Sequence, residues 1–180
     1  VHMTSRQYPG VKPDNQSGSM MPCAFTPLNA SVWARCEPTR AYYSERLQTG
    51  YRWYDAHRVV PAFPFGHGLS YTTFSYSDLS VSGRTVSLLV RNSGSVFAYE
   101  VVQLYLTYPS SAQQPFKQLR GFERIGLEPG SSAGVTFTLT DRWLSSWSAA
   151  QGGWVLARGE FAVEVGASSA DIRLKSTMNV

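Results

Sequence analysis

Residues 69–180 predict an all-β fold, an immunoglobulin-like antiparallel β-sandwich, with an irregular N-terminal extension over residues 1–68. Three observations carry this expectation. Apolar and polar side chains alternate at period two in several short runs, the pattern of strands with one buried and one wet face. Clusters of turn-forming residues separate the runs. The runs number about seven, as an immunoglobulin-type sandwich requires. A length of 180 residues suits one domain with an extension, and 43% hydrophobic residues is ordinary for a globular chain.

The strands are expected in the following order. The first covers 73–82. The second covers 85–92 and places Val86, Leu88 and Val90 on one face. The third, 98–108, does the same with Val102, Leu104 and Leu106. A fourth covers 117–126. In the fifth, 132–140, Val135, Phe137 and Leu139 alternate with Thr136 and Thr138. Residues 154–157 with 160–167 supply the sixth, where Phe161, Val163 and Val165 alternate with Ala162 and Glu164. The last, 170–176, carries Ile172 and Leu174. Ser82-Gly83-Arg84, Asn92-Ser93-Gly94-Ser95 and Glu128-Pro129-Gly130-Ser131 mark turns. Within 69–176 no helix is expected beyond a turn near 141–146.

The extension has two parts. Residues 8–41 are polar and turn-rich, with Pro9-Gly10, Pro13-Asp14-Asn15 and Ser17-Gly18 and no periodicity. They hold the only cysteines, Cys23 and Cys36. A disulfide between them is the expected reading, because the segment lacks a core and the count is even. Two buried thiols are the alternative; a metal site is disfavoured, since no CxxC or nearby histidine supplies further ligands. Asn15-Gln16-Ser17 and Asn29-Ala30-Ser31 are glycosylation sequons at Asn15 and Asn29. A disulfide candidate beside them points to a secreted protein.

The second part is aromatic. Gly50-Tyr51-Arg52-Trp53-Tyr54-Asp55-Ala56 is followed by Pro64-Phe65-Gly66-His67-Gly68-Leu69-Ser70-Tyr71-Thr72-Thr73-Phe74. Pro61, Pro64, Gly66 and Gly68 argue against a helix, so the stretch reads as an extended connector pressed onto a surface. In an extended segment alternate residues face opposite sides. One side of Tyr51, Arg52, Trp53, Tyr54 and Asp55 then faces the sandwich, or residues 8–41, and the other makes contact with a neighbouring domain outside this chain.

These two motifs resemble the carboxy-terminal part of glycoside hydrolase family 3 β-glucosidases. The resemblance continues through Asn92-Ser93-Gly94, Glu100-Val101-Val102-Gln103-Leu104-Tyr105, Lys117-Gln118-Leu119-Arg120-Gly121-Phe122-Glu123 and Leu127-Glu128-Pro129-Gly130, over about residues 42–175. It implies that 69–180 is a fibronectin type III-like domain, that the partners are the catalytic domains of a parent glycosidase, and that the parent hydrolyses β-glucosides by a retaining two-carboxylate mechanism. β-Xylosidases share this architecture, so the glycoside itself stays open. The family pattern Y-[ST]-E-G meets Tyr43-Ser44-Glu45-Arg46 here, with Arg46 where the family has glycine. An arginine adopts a glycine-type backbone only at a cost. Residues 41–48 suit a short helical turn.

Chemistry within the chain is sparse. Glycoside hydrolysis needs two carboxyl groups flanking the scissile bond. Glu45 and Asp55 form the best local pair, but neither matches a family catalytic motif, and Asp55 reads as a cap or as a partner of Arg52. Ser77-Asp78-Leu79 lacks the tryptophan of the family's nucleophile motif and sits on an expected strand. No catalytic residue, metal site or cofactor is expected. His67 reads as a turn residue between Gly66 and Gly68. The net charge of +4 comes from scattered arginines rather than a basic patch, which argues against nucleic acid. No apolar run reaches the length of a membrane-spanning helix. Trp53, Trp143, Trp147 and Trp154 suggest an alternative function, a stand-alone carbohydrate- or surface-binding module that would take a polysaccharide surface. Packing is the competing account of these rings, and an exposed coplanar row would favour binding.

Overall fold

A computed structural model describes residues 45–180. Cys23, Cys36, Asn15 and Asn29 lie outside the described residues. Leu47–Val180 forms one compact unit. Its elements in order are helix α1 (Tyr51–His57) and strands β1 (Phe74–Ser82), β2 (Thr85–Asn92), β3 (Ala98–Thr107), β4 (Gln118–Leu127), β5 (Ser132–Thr138), β6 (Ser145–Ser148), β7 (Gly153–Leu156), β8 (Glu160–Gly166) and β9 (Ile172–Asn179). A 3-10 turn at Ser110–Ala112 lies between β3 and β4.

The fold is an all-β sandwich. One sheet runs β1-β2-β5, the other β4-β3-β8-β9, and all their pairings are antiparallel. The expected alternation forms the core. Val86, Leu88 and Val90 on β2, with Val135 and Phe137 on β5, are buried against Val102, Leu104 and Leu106 on β3 and Phe161, Val163 and Val165 on β8. Burying each such side chain contributes roughly 1.5–3 kcal/mol. β1 lies beside β9, and β5 beside β4, where the sheets meet at their edges.

Three expectations are corrected. The extended reading of 50–56 gives way to helix α1. The breakers that argued against a helix, Pro61, Pro64, Gly66 and Gly68, all lie beyond His57 and interrupt nothing within it. Gly50, at φ 60, opens the helix, and its carbonyl accepts from Trp53 and Tyr54; Arg58, at φ 54, closes it in the left-handed region. Next, residues 154–157 and 160–167 are not one strand. Gly159 turns the chain at φ 121, so that β7 pairs with β6 in a separate hairpin while β8 enters the larger sheet. Strand β6 itself was not expected, because Ser145-Ser146-Trp147-Ser148 carries a single apolar residue and no alternation. Finally, the outer face of the larger sheet is wet only in part: Gln103 and Tyr105 point away from the core yet are 3% and 0% exposed.

Arg46 stands where the resemblance has glycine, and its φ is 53, the left-handed conformation that glycine takes without cost. Asp78 also has a positive φ, 55, at the register shift between Ser77 and Ser80 in β1. It bends a strand, and its carboxylate accepts from the Ser77 hydroxyl at 2.9 Å.

Candidate functional site

The buried patch at Gln103 and Tyr105 is covered by the aromatic connector. A helix places residues i and i+4 on one face, so α1 sends Tyr51 and Asp55 to the sheet together. The Tyr51 ring stacks on Phe65 at 4.6 Å between centroids and meets Tyr105 edge-on at 6.1 Å. Its hydroxyl oxygen accepts the backbone N–H of Leu119 at 2.8 Å. Leu119 lies beside a register shift in the β3–β4 ladder, where Tyr105 pairs with Leu119 and Leu104 with Gly121. Burial pushes the hydroxyl pKa values of Tyr51 and Tyr105 up, so both stay protonated.

Asp55 pairs with Lys117, at 3.5 Å, and not with Arg52. Arg52 turns back to the Thr49 hydroxyl at 2.8 Å, because its position on the helix points away from the sheet. Lys117 is buried, donates to the Ser169 carbonyl, and sits 5.6 Å from the Tyr105 ring centroid. Gln103 fastens the next stretch of connector. Its amide nitrogen donates to the carbonyls of Gly66 at 3.0 Å and Ala167 at 2.6 Å, and its oxygen accepts from Tyr105 at 2.6 Å. Ser169 N–H adds a bond to the Phe65 carbonyl at 2.8 Å. Gly66 takes φ 80 here, and a Cβ on it would run into the Gln103 side chain. His67 closes a turn by donating its N–H to the Pro64 carbonyl at 3.0 Å.

The connector therefore has a bound side and a free side. Tyr51, Asp55, Phe65 and Gly66 meet the sandwich. Val60, Phe63, Leu69 and Tyr71 project from the same segment at 92%, 74%, 93% and 98% exposure. Trp53 stacks on His57 at 4.3 Å and meets Tyr54 edge-on. Of the five residues expected to divide between the sandwich and a contact outside the chain, Tyr51 and Asp55 meet the sandwich, and all five are half-buried.

Two other exposed ring pairs are not coplanar. Trp147 and Trp154 are paired across the β6–β7 hairpin at an interplanar angle of 64°, with the Arg142 guanidinium over Trp154. Phe97 and Tyr99 meet at 80°, and Arg124 covers Tyr99 at 3.5 Å. Trp143 packs against the core. Among the described residues no group of three or more histidine, cysteine or acidic side chains is placed to hold a metal ion. Glu45 and Asp55 are both described, and Asp55 is engaged by Lys117.

Sequence reasoning did not single out Lys117, Gln103 or Asn92 as individuals. Asn92 is wholly buried. Its amide nitrogen donates to the carbonyls of Val96 and Leu127 at 2.8 and 2.9 Å, and its oxygen accepts from Thr72 and the Gly94 N–H at 2.7 and 3.1 Å. The available signal was a polar residue on the apolar parity of β2, at the position after Val86, Leu88 and Val90.

Residues 100–169 match the model of the fibronectin type III-like domain. The chain is 43% identical over 169 residues to "Probable beta-glucosidase D" of Aspergillus niger, covering 81% of this chain and 22% of that protein. Its structure resembles that of a beta-D-glucoside glucohydrolase from Trichoderma reesei, with TM-score 0.73, 43% identity, and coverage of 77% of this chain and 23% of that one. A Bifidobacterium adolescentis GH3 beta-glucosidase gives TM-score 0.74 at 34% identity, covering 81% and 23%. The chain spans about a fifth of the length of the curated relatives it matches.

Proposed function

On the premise that this chain carries a fibronectin type III-like domain and belongs with the family 3 β-glucosidases, we propose that it is the non-catalytic carboxy-terminal portion of a secreted enzyme of that kind. In this reading the parent hydrolyses β-glucosides with carboxylates supplied by its other domains. The domain described here buttresses them. The disulfide Cys23–Cys36 and glycans at Asn15 and Asn29 belong to the same proposal, as features of a secreted protein.

The observation that carries it is the two-sided connector. Segment 59–71 is held to the sheet by Gln103 and Ser169, yet its other side presents Val60, Phe63, Leu69 and Tyr71 to solvent. Large apolar side chains grouped on a fixed segment mark an interaction surface. A catalytic domain of the parent, with Tyr54 and Trp53 at the margin of the contact, is the partner that the relatives' extra length supplies.

Two measurements test this. Purified chain should leave an aryl β-glucoside unhydrolysed; turnover that disappears in an Asp55→Asn, Glu45→Gln double variant would overturn the non-catalytic reading. In trans, the chain should bind and thermally stabilise the separately produced remainder of its parent, and a Leu69→Ser, Tyr71→Ser variant should not. Equal stabilisation by both proteins would remove the docking surface from the proposal.

A further inference from the structure

A cavity of about 300 Å³ opens where residues 67–74 cross the sandwich beside β3 and the loop between β8 and β9. The docking reading uses only Leu69 from its lining. Glu100 lines it, as a residue only 9% exposed. One Glu100 carboxylate oxygen accepts the Tyr76 hydroxyl at 2.8 Å and stands 3.9 Å from Arg173. No described group donates to its second oxygen. Arg173 is held in place from three directions: by the Asp171 carboxylate at 2.9 Å, by the Phe74 carbonyl at 2.9 Å, and by the Tyr76 ring beneath its guanidinium at 4.7 Å.

The chemistry of this lining selects a ligand class. Two carboxylates outnumber the one guanidinium, which disfavours phosphate or sulfate. The fixed guanidinium in turn disfavours a bare cation. Ser70 and Ser168 accept backbone N–H groups, from Thr72 and from Ala170 and Asp171, so each hydroxyl keeps its own proton to donate. Leu69 and Phe74 supply apolar wall. A neutral ligand with many hydroxyls and a C–H face satisfies both kinds of surface. The volume lies at the small end of the range for small-molecule sites, about 300–1,000 Å³.

The geometry points to a binding site for a small neutral polyol of monosaccharide size, with the free oxygen of Glu100 as acceptor and the hydroxyls of Ser70 and Ser168 as donors. Glu100 and Arg173, both in contact with Tyr76, form its preformed polar wall. Of the exposed connector residues proposed to dock, the site includes only Leu69, and its polar groups are not among them.

The test uses the whole 180-residue chain, labelled with nitrogen-15 and titrated with D-glucose, then with sodium sulfate and calcium chloride. Glucose should shift the amides of Ser70, Thr72, Ser168, Asp171 and Arg173 saturably. Glu100→Gln keeps the side-chain shape and an acceptor for Tyr76 but turns a donor toward the cavity, and should weaken binding about tenfold. Ser70→Ala, on an exposed loop, should weaken it a few-fold and leave the remaining spectrum intact, so it decides the matter if Glu100→Gln fails to fold. Absence of saturable shifts with glucose, equal affinity in wild type and Ser70→Ala, or the same amides responding to sulfate or calcium and not to glucose would each overturn the assignment.

Discussion

The hydroxyl oxygen of Tyr51 accepts the backbone N–H of Leu119 at 2.8 Å, across 68 residues of chain. A side chain on α1 thereby satisfies a backbone donor beside an irregularity in the β3–β4 ladder. This fixes the connector to the sandwich at the point where ladder pairing changes register. Tyr51→Phe keeps the ring against Phe65 and Tyr105 but removes the acceptor. It should cost about 1–2 kcal/mol, since the Leu119 donor is left unpaired in a partly buried place. Urea denaturation should show a lower midpoint at unchanged slope.

Lys117, just before β4, and Asp55 on α1 form a largely buried ion pair. Lys117→Ala strands the Asp55 carboxylate and the Ser169 carbonyl together. Removal of one partner of such a pair should cost about 3 kcal/mol. Asp55→Asn should cost less, since Asp55 is the more exposed member and the lysine keeps its carbonyl partner. Equilibrium unfolding of both variants and their double variant gives the coupling.

Asn92 makes four hydrogen bonds with no exposed surface. Asn92→Leu preserves approximate volume and leaves the Val96 and Leu127 carbonyls, the Thr72 hydroxyl and the Gly94 N–H without that partner. A loss of about 3 kcal/mol or more is expected, against about 1 kcal/mol for a typical substitution. Thermal denaturation should register it as one of the most damaging changes outside the apolar core.

Two strand glycines should behave oppositely. A Cβ on Gly166 would fall on the backbone carbonyl of Asp171, which cannot move aside, whereas a Cβ on Gly134 meets nothing within 4 Å. Gly166→Ala is therefore expected to destabilise by several kcal/mol, through forced backbone displacement. Gly134→Ala should be neutral or stabilise by about 0.5 kcal/mol, by restricting the unfolded chain. Parallel melting curves make the comparison.

Burial pushes the carboxyl pKa of Glu100 up, against the hydrogen bond from Tyr76 and the charge of Arg173, which pull it down. Its folded value therefore lies above its unfolded one. Between the two values the folded state binds more protons, so stability from this group is full below the unfolded pKa and is lost as pH rises through the folded pKa. The stability difference between wild type and Glu100→Gln should shift in favour of the variant as pH rises from about 4 through the folded pKa. A difference that stays flat over that window would contradict the assignment.

The core was legible because its rule is local. Val86, Leu88 and Val90, like Phe161, Val163 and Val165, carry the period-two signal in their own few residues, and all six are buried. β6 was not legible, since Ser145–Ser148 has no such signal and forms only because β7 lies opposite. Helix α1 was misread for a related reason. The prolines and glycines after His57 signal a break, but only beyond the helix, and seven residues suffice for two turns once Gly50 and Arg58 close the ends.

By itself the sequence determined the sandwich, the boundaries of most strands of its two sheets to within a few residues, its turns, and its resemblance to the family 3 β-glucosidases. Those follow from alternation, turn chemistry and ordered motifs, each written in contiguous residues. Only the tertiary structure decided that Asp55 answers Lys117 and not Arg52, that Gln103 holds Gly66, and that Glu100, Asp171 and Arg173 line one cavity, with Tyr76 bonded to Glu100. These pairings join residues far apart in the chain, and their strength comes from shared burial. Which polar groups are removed from water together is set by how the sheets and the connector pack, a relation that no single stretch of sequence contains.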